Sequence, residues 1–371
     1  MDLMRVAILH DYLNQFGGAE RVLEVLLEMF PEADLYTLLY DREKTFGVFE
    51  RNIKKTSILN SFSIIKKKHR LFIPFMPMAS NFLTSKEIYD LVISSTAGYA
   101  KGFHVKGKYH ISYCHSPLRY AWEIDYLKNL PFAPWPLKEI VVRPMAKMLR
   151  NWDIHAATHV NLFVTNSEYI KEKVRAYYKR EAIVIYPPVN TAIFYPDPSK
   201  NEKEFYLMTG RLLYYKGFDI AIKAFNRLRK PLIIVGNGPE YQKLRSLVRS
   251  PLIEFRNSIS DAELRRLYSN AKAFIFPQIE DFGLVAAEAQ LCGTPVIAFN
   301  QGGGAEIVIH KKNGLHFNEQ TPEAIERAVR EFETLTFNRK EIAKSAERFT
   351  KERFIRDFKH SVRSSGFKQV F

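Results

Sequence analysis

Short runs of aliphatic and β-branched residues alternate along this chain with longer runs whose apolar positions recur at helical spacing. That alternation is the pattern of a parallel sheet wrapped by helices. Arg5–His10 (RVAILH) reads as a continuous apolar strand, and Glu20–Phe30 places Val22, Leu23, Leu26, Leu27 and Phe30 at helical spacing. Further strands are expected at Leu35–Tyr40, Leu91–Ser95, Tyr109–Cys114 and Asn161–Thr165, with helices over Leu137–His155 and Glu168–Tyr178.

The alternation breaks at Tyr186-Pro187-Pro188-Val189-Asn190 and Tyr195-Pro196-Asp197-Pro198, where four prolines fall within twelve residues. Proline continues neither a helix nor a central strand, so this segment reads as a linker. Beyond it the pattern restarts, with strands expected at Phe205–Thr209, Leu232–Val235, Ile253–Phe255, Ala273–Phe276 and Pro295–Ala298. A charged helical stretch follows from about Pro322. A chain of 371 residues is long for one core and comfortable for two. The expected division is 1–188 and 189–345, each Rossmann-like, with a final helix at 346–371.

A hydrophobic fraction of 46% and a charged fraction of 26% fit an ordinary globular protein. No run of apolar residues is long enough for a spanning helix, and MDLMRVAILHDY enters a strand directly, without a basic segment and signal-type core. A cytoplasmic location is expected. Cys114 and Cys292, both in apolar contexts, agree with a reducing compartment and cannot form a zinc site alone. The net charge of +15 changes the picture, because it calls for an anionic partner: nucleic acid, lipid headgroups or a phosphate-bearing substrate.

The segment PQIEDFGLVAAEAQLCGTPV (277–296) is the richest in chemistry. A strand ends at Pro277, a loop carries Glu280, Asp281, Phe282 and Gly283, and a helix starts near Leu284. Its N-terminus offers unpaired N–H groups to a diphosphate, and Gly283 lets the backbone come close. Glu280 in the loop and Glu288 in the helix accept hydrogen bonds from sugar hydroxyls beside that anion. Singly, each acid also suits an acidic first turn. Thr209-Gly210-Arg211, with Lys216 five residues on, puts two cations past a strand end, at the edge where ligands of such sheets bind.

Gly17-Gly18 joins the first strand to the first helix, a turn that admits a phosphate or sugar to backbone amides, although a tight loop needs the same residues. Glu20 follows as a helix-dipole residue. Gly236-Asn237-Gly238-Pro239 makes a similar turn after LIIV, without the third glycine of a dinucleotide fingerprint. Gly302-Gly303-Gly304 precedes a short helix, and Ser167 within Asn166-Ser167-Glu168 reads as a helix cap. His115, in Tyr113-Cys114-His115-Ser116-Pro117, sits past an apolar strand on a loop stopped by proline, and is expected to be exposed.

Together these motifs resemble the retaining glycosyltransferases of family four, and EDFGLVAAE resembles that family's E-x7-E signature. The likeness spans nearly the whole chain and is greatest to mannosyltransferases building O-antigen and exopolysaccharide. It implies the GT-B fold, two Rossmann-like domains facing across a cleft, with 346–371 packed back on the first. It implies catalytic or sugar-pocket roles for His115, Glu280, Arg211 and Lys216, the last two as a diphosphate clamp. Donor contacts are implied for Gly17, Gly18, Gly210, Gly236, Gly238, Asp281, Phe282, Gly283 and Leu284, and for Glu288 at the ribose. Arg119 becomes an acceptor-binding candidate. The implied donor is GDP-mannose, with UDP-hexoses next, and the implied acceptor is a glycan or lipid-linked intermediate. No metal and no cofactor beyond the nucleotide-sugar is expected.

Lys66, Lys67, Lys68, His69 and Arg70 cluster beside Phe72, Ile73, Phe75 and Met76, and PFAPWP at 131–136 adds apolar bulk. Basic and exposed aromatic residues together suit an anionic membrane surface, here the inner face of the cell membrane. A nucleic-acid-binding protein fits the charge but not Glu280 and Glu288, which would repel a phosphate backbone. The same fold also supports a sugar-phosphate phosphorylase, a nucleotide-sugar epimerase or a non-catalytic scaffold.

Overall fold

The computed structural model describes residues 4–128, 138–197, 205–257, 259–364 and 366. They form two compact units, Met1–Ile185 with Ile355–Phe371, and Tyr186–Phe354. The division falls three residues before the expected boundary. The chain rejoins the first unit at Ile355 rather than at 346, so residues 346–354 belong to the second.

The first unit carries a seven-stranded parallel sheet: β1 (Val6–Leu13), β2 (Asp34–Tyr40), β3 (Ile53–Thr56), β4 (Thr84–Thr96), β5 (His104–Cys114), β6 (Leu162–Thr165) and β7 (Ala182–Val184). Their spatial order is β3-β2-β1-β4-β5-β6-β7. Among the described residues the α-helices that accompany it before Ile185 are α1 (Gly18–Met29), α2 (Ser63–Lys68), α3 (Met76–Phe82), α4 (Arg119–Trp122), α5 (Ile124–Lys128), α6 (Lys138–Thr158) and α7 (Glu168–Tyr178). The apolar run of β1 is buried along nearly its whole length, as a strand covered on both faces must be. Helix α7 begins where Ser167 Oγ accepts from the Ile170 N–H, the cap its sequence advertises.

The second unit repeats the plan with β8 (Tyr206–Thr209), β9 (Leu232–Val235), β10 (Ile253–Arg256), β11 (Ala273–Phe276), β12 (Val296–Phe299) and β13 (Gly314–Phe317) in the order β10-β9-β8-β11-β12-β13. Its helices are α8 (Phe218–Leu228), α9 (Tyr241–Ser246), α10 (Asp261–Asn270), α11 (Leu284–Leu291), α12 (Gly303–Ile307), α13 (Pro322–Phe332) and α14 (Arg339–Ser345), and α15 (Lys351–Ser364) closes the chain. Thr321 caps α13 and Pro322 opens it, where a missing N–H costs nothing.

Strand order in each sheet reverses direction at one place, between β1 and β4 and between β8 and β11. Ligands of doubly wound sheets bind outside the carboxyl ends of such strands.

Three strands lie outside the sequence expectation. β3, β7 and β13 occupy sheet edges; β3 (IKKT) and β7 (AIV) are only partly buried and β13 (GLHF) carries glycine and histidine, so none is an unbroken, buried apolar run. The basic segment is also rearranged: Ile73 and Met76 face the core rather than solvent. PFAPWP lies outside the described residues.

A buried ion pair joins the turn between β4 and β5 to α6. Lys101 Nζ donates to Asp153 Oδ1 at 2.5 Å, both side chains fully buried. Trp122 Nε1 and Tyr178 Oη donate to the other carboxylate oxygen at 2.8 and 2.7 Å. Asp153→Ala strands a buried ammonium and two donors, and is expected to cost about 3–5 kcal/mol in urea unfolding. A loss under ~1 kcal/mol would show that the pair does not hold this region together.

Candidate functional site

In the second unit the site is built from loops that touch through their main chains. Gly210, at the end of β8, has φ +145°, and its N–H donates to the Val235 carbonyl at 3.0 Å. Gly236, with φ +151°, lies so close that a Cβ there would overlap the Gly210 carbonyl. A Cβ on Gly238 would likewise strike the Leu212 backbone. Both glycines are therefore required by loop contact alone.

The acidic loop is held in the same way. The Gly303 N–H donates to the Glu280 carbonyl at 2.8 Å, and side chains at Gly302 or Gly303 would collide with the backbone of Glu280 or Phe282. Gly283 takes φ +102° as the N-cap of α11 and has no side-chain acceptor to offer, so no side chain caps that helix's first N–H groups. Phe282 is buried against Tyr186 and Phe349, with ring centroids 5.7 and 5.3 Å away.

Lys216 ends a short turn before α8, and its ammonium pairs with Glu280 Oε1. Each side chain keeps about a fifth of its surface exposed (18% and 20%). Arg211 is exposed and makes no ion pair among the described residues. Glu288 sits in α11 at 3% exposure and accepts from Tyr268 Oη at 3.1 Å. Tyr268 Oη in turn lies 2.9 Å from Thr209 Oγ1, so a hydroxyl pair joins α11 to the end of β8. Asp281 and Leu284 are half-buried. The two acids thus have separate local partners, Lys216 and Tyr268.

In the first unit His115 is buried, at 9% exposure, rather than open to solvent. Its Nε2 lies 2.9 Å from Ser95 Oγ, which lies 3.2 Å from His10 Nδ1. His10 Nε2 is 3.8 Å from Glu20 Oε1, and Glu20 Oε2 accepts the Gly17 N–H at 2.8 Å. Burial, and then the neighbouring His10, push the His115 pKa down to about 3, so its ring is neutral. Glu20, expected to serve the helix dipole, is buried and also faces His10. Gly17 is the N-cap of α1 and Gly18 is exposed beside it. Arg119 opens α4 with its guanidinium over the Tyr126 ring, 5.5 Å from the centroid.

Sequence reading missed His10, Asp11 and Ser95. The Asp11 carboxylate accepts from Thr96 Oγ1 and from the N–H groups of Ala97, Tyr99 and Ala100, at 2.5 to 3.0 Å. It shapes the turn after β4. The signal that could have found them is positional: these polar residues end the two strands that flank the reversal.

Residues 16–193 match the family described as Glycosyltransferase Family 4, and residues 189–349 match Glycosyl transferases group 1. The chain belongs to glycosyltransferase family 4. As a GT-B protein it has two parallel-sheet α/β units. It is 27% identical to an uncharacterized glycosyltransferase of Methanocaldococcus jannaschii over 95% of each chain. It is 30% identical to the GDP-mannose-dependent alpha-(1-6)-phosphatidylinositol monomannoside mannosyltransferase of Mycobacterium tuberculosis, across 47% of this chain and 52% of that one. The crystal structure of Anabaena HepE with UDP and glucose superposes with a TM-score of 0.69 at 16% identity, covering 97% of this chain and all of the other. Among the described residues of this transferase no helix is long and apolar enough to cross a membrane, and no group of three His, Cys, Asp or Glu is placed to hold a metal.

The neutral His115 gives the family 4 chain a predictable acid response. Its folded pKa lies below the unfolded value near 6.5, so between the two the unfolded chain binds more protons and stability rises with pH. Stability is expected to fall as pH drops below 6.5, by up to about 1.4 kcal/mol per pH unit from this residue. Urea unfolding from pH 7 to 5 checks it: His115→Gln should have a shallower slope, and identical slopes would contradict the assignment.

Proposed function

We propose that the protein transfers a hexose, with retention of configuration and without a metal, from a nucleotide diphosphate donor to a glycan or lipid-linked acceptor. The observation that carries this reading is Lys216 paired with Glu280, on the loop that leads into the glycine-capped start of α11. In the reading, the donor diphosphate takes Lys216 and the α11 N–H groups, with Arg211 as second cation. Glu280, released from Lys216, accepts from hexose hydroxyls, and Glu288 holds the ribose. Within the second unit, Gly210, the Gly236 and Gly238 turn and the Asp281–Leu284 stretch complete the donor site; within the first, the Gly17–Gly18 turn and His115 are assigned sugar contacts by the family resemblance.

The bond from the anomeric carbon to the diphosphate breaks, and the acceptor hydroxyl attacks the same face. Its proton passes to the departing diphosphate oxygen, so no protein nucleophile is needed. GDP-mannose is the favoured donor, supported by the mannosyltransferase relative; a UDP-hexose is the second choice, supported by the likeness to HepE with UDP and glucose. Glu280→Gln is expected to cut transfer by about a hundredfold while GDP or UDP affinity holds or rises, because Lys216 loses its competing carboxylate. Wild-type turnover should survive excess EDTA. Unchanged transfer in the variant, or turnover lost to EDTA and restored by Mg²⁺, would overturn the mechanism.

Attachment to an anionic membrane face, from the cytoplasm, belongs to the same proposal and places Arg119 near the acceptor. It is supported by Phe62 and Phe82, 53% and 72% exposed, with Ile58, Ile64, Phe75 and Met78 also exposed. Lys67, Lys68 and Arg70 are exposed on the same segment. Phe62→Ser with Phe82→Ser is expected to weaken co-sedimentation with phosphatidylglycerol vesicles at least about tenfold, from lost apolar burial. Equal binding by variant and wild type would remove this surface from the proposal.

A further inference from the structure

Glu20, His10, Ser95 and His115 form a buried line from the start of α1 to the loop after β5. Glu20 Oε2 is occupied by the Gly17 N–H, which leaves Oε1 facing His10 Nε2 at 3.8 Å. That separation is too long for a hydrogen bond. In a site almost closed to water, a carboxylate oxygen at such range still favours an N–H over a lone pair on the facing nitrogen. In its neutral form, with one N–H and one lone pair, His10 with its proton on Nε2 accepts at Nδ1, whereas a doubly protonated ring would donate there and reverse the line. Ser95, 3.2 Å away, then donates its hydroxyl proton to His10 and turns its oxygen lone pairs to His115 Nε2, 2.9 Å away. His115 therefore holds its proton on Nε2. Its Nδ1 keeps a lone pair and makes no hydrogen bond among the described residues.

We infer that Glu20, His10 and Ser95 are positioning residues that set the tautomer of His115, making Nδ1 an acceptor for a substrate hydroxyl. The substrate half of this statement rests on the proposed sugar-pocket place of His115; the tautomer half does not. A ring presenting a lone pair accepts from a hydroxyl and repels an ether or carbonyl oxygen. The line thus decides which kind of oxygen the pocket admits beside His115. Such a chain transmits direction only while each member is satisfied, and burial makes an unsatisfied member costly.

Long-range ¹H–¹⁵N correlation of the histidine rings, assigned with His115→Gln, reads the tautomer directly. The wild type is expected to show a protonated Nε2 and a bare Nδ1 at His115. Glu20→Gln should invert the line: its carbonyl stays on the Gly17 N–H, its NH₂ turns to His10 Nε2, and His10 then donates from Nδ1. Ser95 must then donate to His115 Nε2, so His115 becomes the Nδ1–H form. GDP and GDP-mannose, and UDP and UDP-glucose, serve as paired probes. In the variant the preference for the bound nucleotide sugar over its nucleotide should fall about tenfold, with nucleotide affinity unchanged.

A wild-type Nδ1–H tautomer, or an unchanged tautomer in Glu20→Gln, overturns the inference. Should Glu20→Gln not fold, Ser95→Ala replaces it: both tautomers of His115 should then be populated, and a persistent Nε2–H form is the contrary result. If the tautomers behave as stated but His115→Gln leaves both sugar-over-nucleotide preferences intact, the sugar-pocket reading fails. The tautomer control then stands and the substrate half falls.

Discussion

When a parallel sheet reverses its strand order, the crossovers on either side of the reversal leave toward opposite faces, and the loops at the carboxyl ends diverge. The gap between them is the one stretch of sheet edge that neighbouring loops do not close. Both units have this reversal in the same place, β1 against β4 and β8 against β11. The polar residues of each unit gather there: His10, Asp11, Ser95 and Thr96 in the first, Thr209, Gly210 and the loop after β11 in the second. Topology brings them together, and local sequence then decides what each can do.

The two reversals are furnished differently. In the first unit the polar groups are buried, neutral or turned inward: Asp11 spends its carboxylate on the turn after β4, and His115 is held uncharged. In the second unit Lys216, against Glu280, is partly exposed and Arg211 is exposed, while Glu288 is buried. Neutral hydrogen-bonding groups suit hydroxyl-rich ligands, and cations near the surface suit a diphosphate. The Lys216–Glu280 pair carries the proposed transferase reading, and the buried hydrogen-bonding groups of the first unit agree with it.

Much of this is legible in the amino-acid order alone. Strands buried on both faces announce themselves as apolar runs, which is why β9 and β11 coincide with their expected limits. Helix α7 is marked at its start by Ser167 and runs its full expected length. The edge strands β3, β7 and β13 are not visible, because β3 and β7 are only partly buried and β13 mixes glycine and histidine into its four residues, so none presents an unbroken, buried apolar run. Nor is the burial of His115: a histidine after a strand, before a proline, looks exposed, and only the fold reveals Ser95 beside it. The glycine pairs stand out as open turns. Their partners, the carbonyls of Gly210 and Phe282, come from distant sequence that no local pattern links to them.

Those glycine contacts carry a consequence for how such a protein can diversify. Around Gly236, Gly238, Gly302 and Gly303, loop meets loop with bare main chain on both sides, and nowhere is there room for even a methyl group. Drift at these positions is barred by volume, whatever the ligand. Variation in this part of the fold is therefore left to neighbours that do carry side chains, such as Asp281, while the main-chain scaffold beneath them stays the same from one descendant to the next.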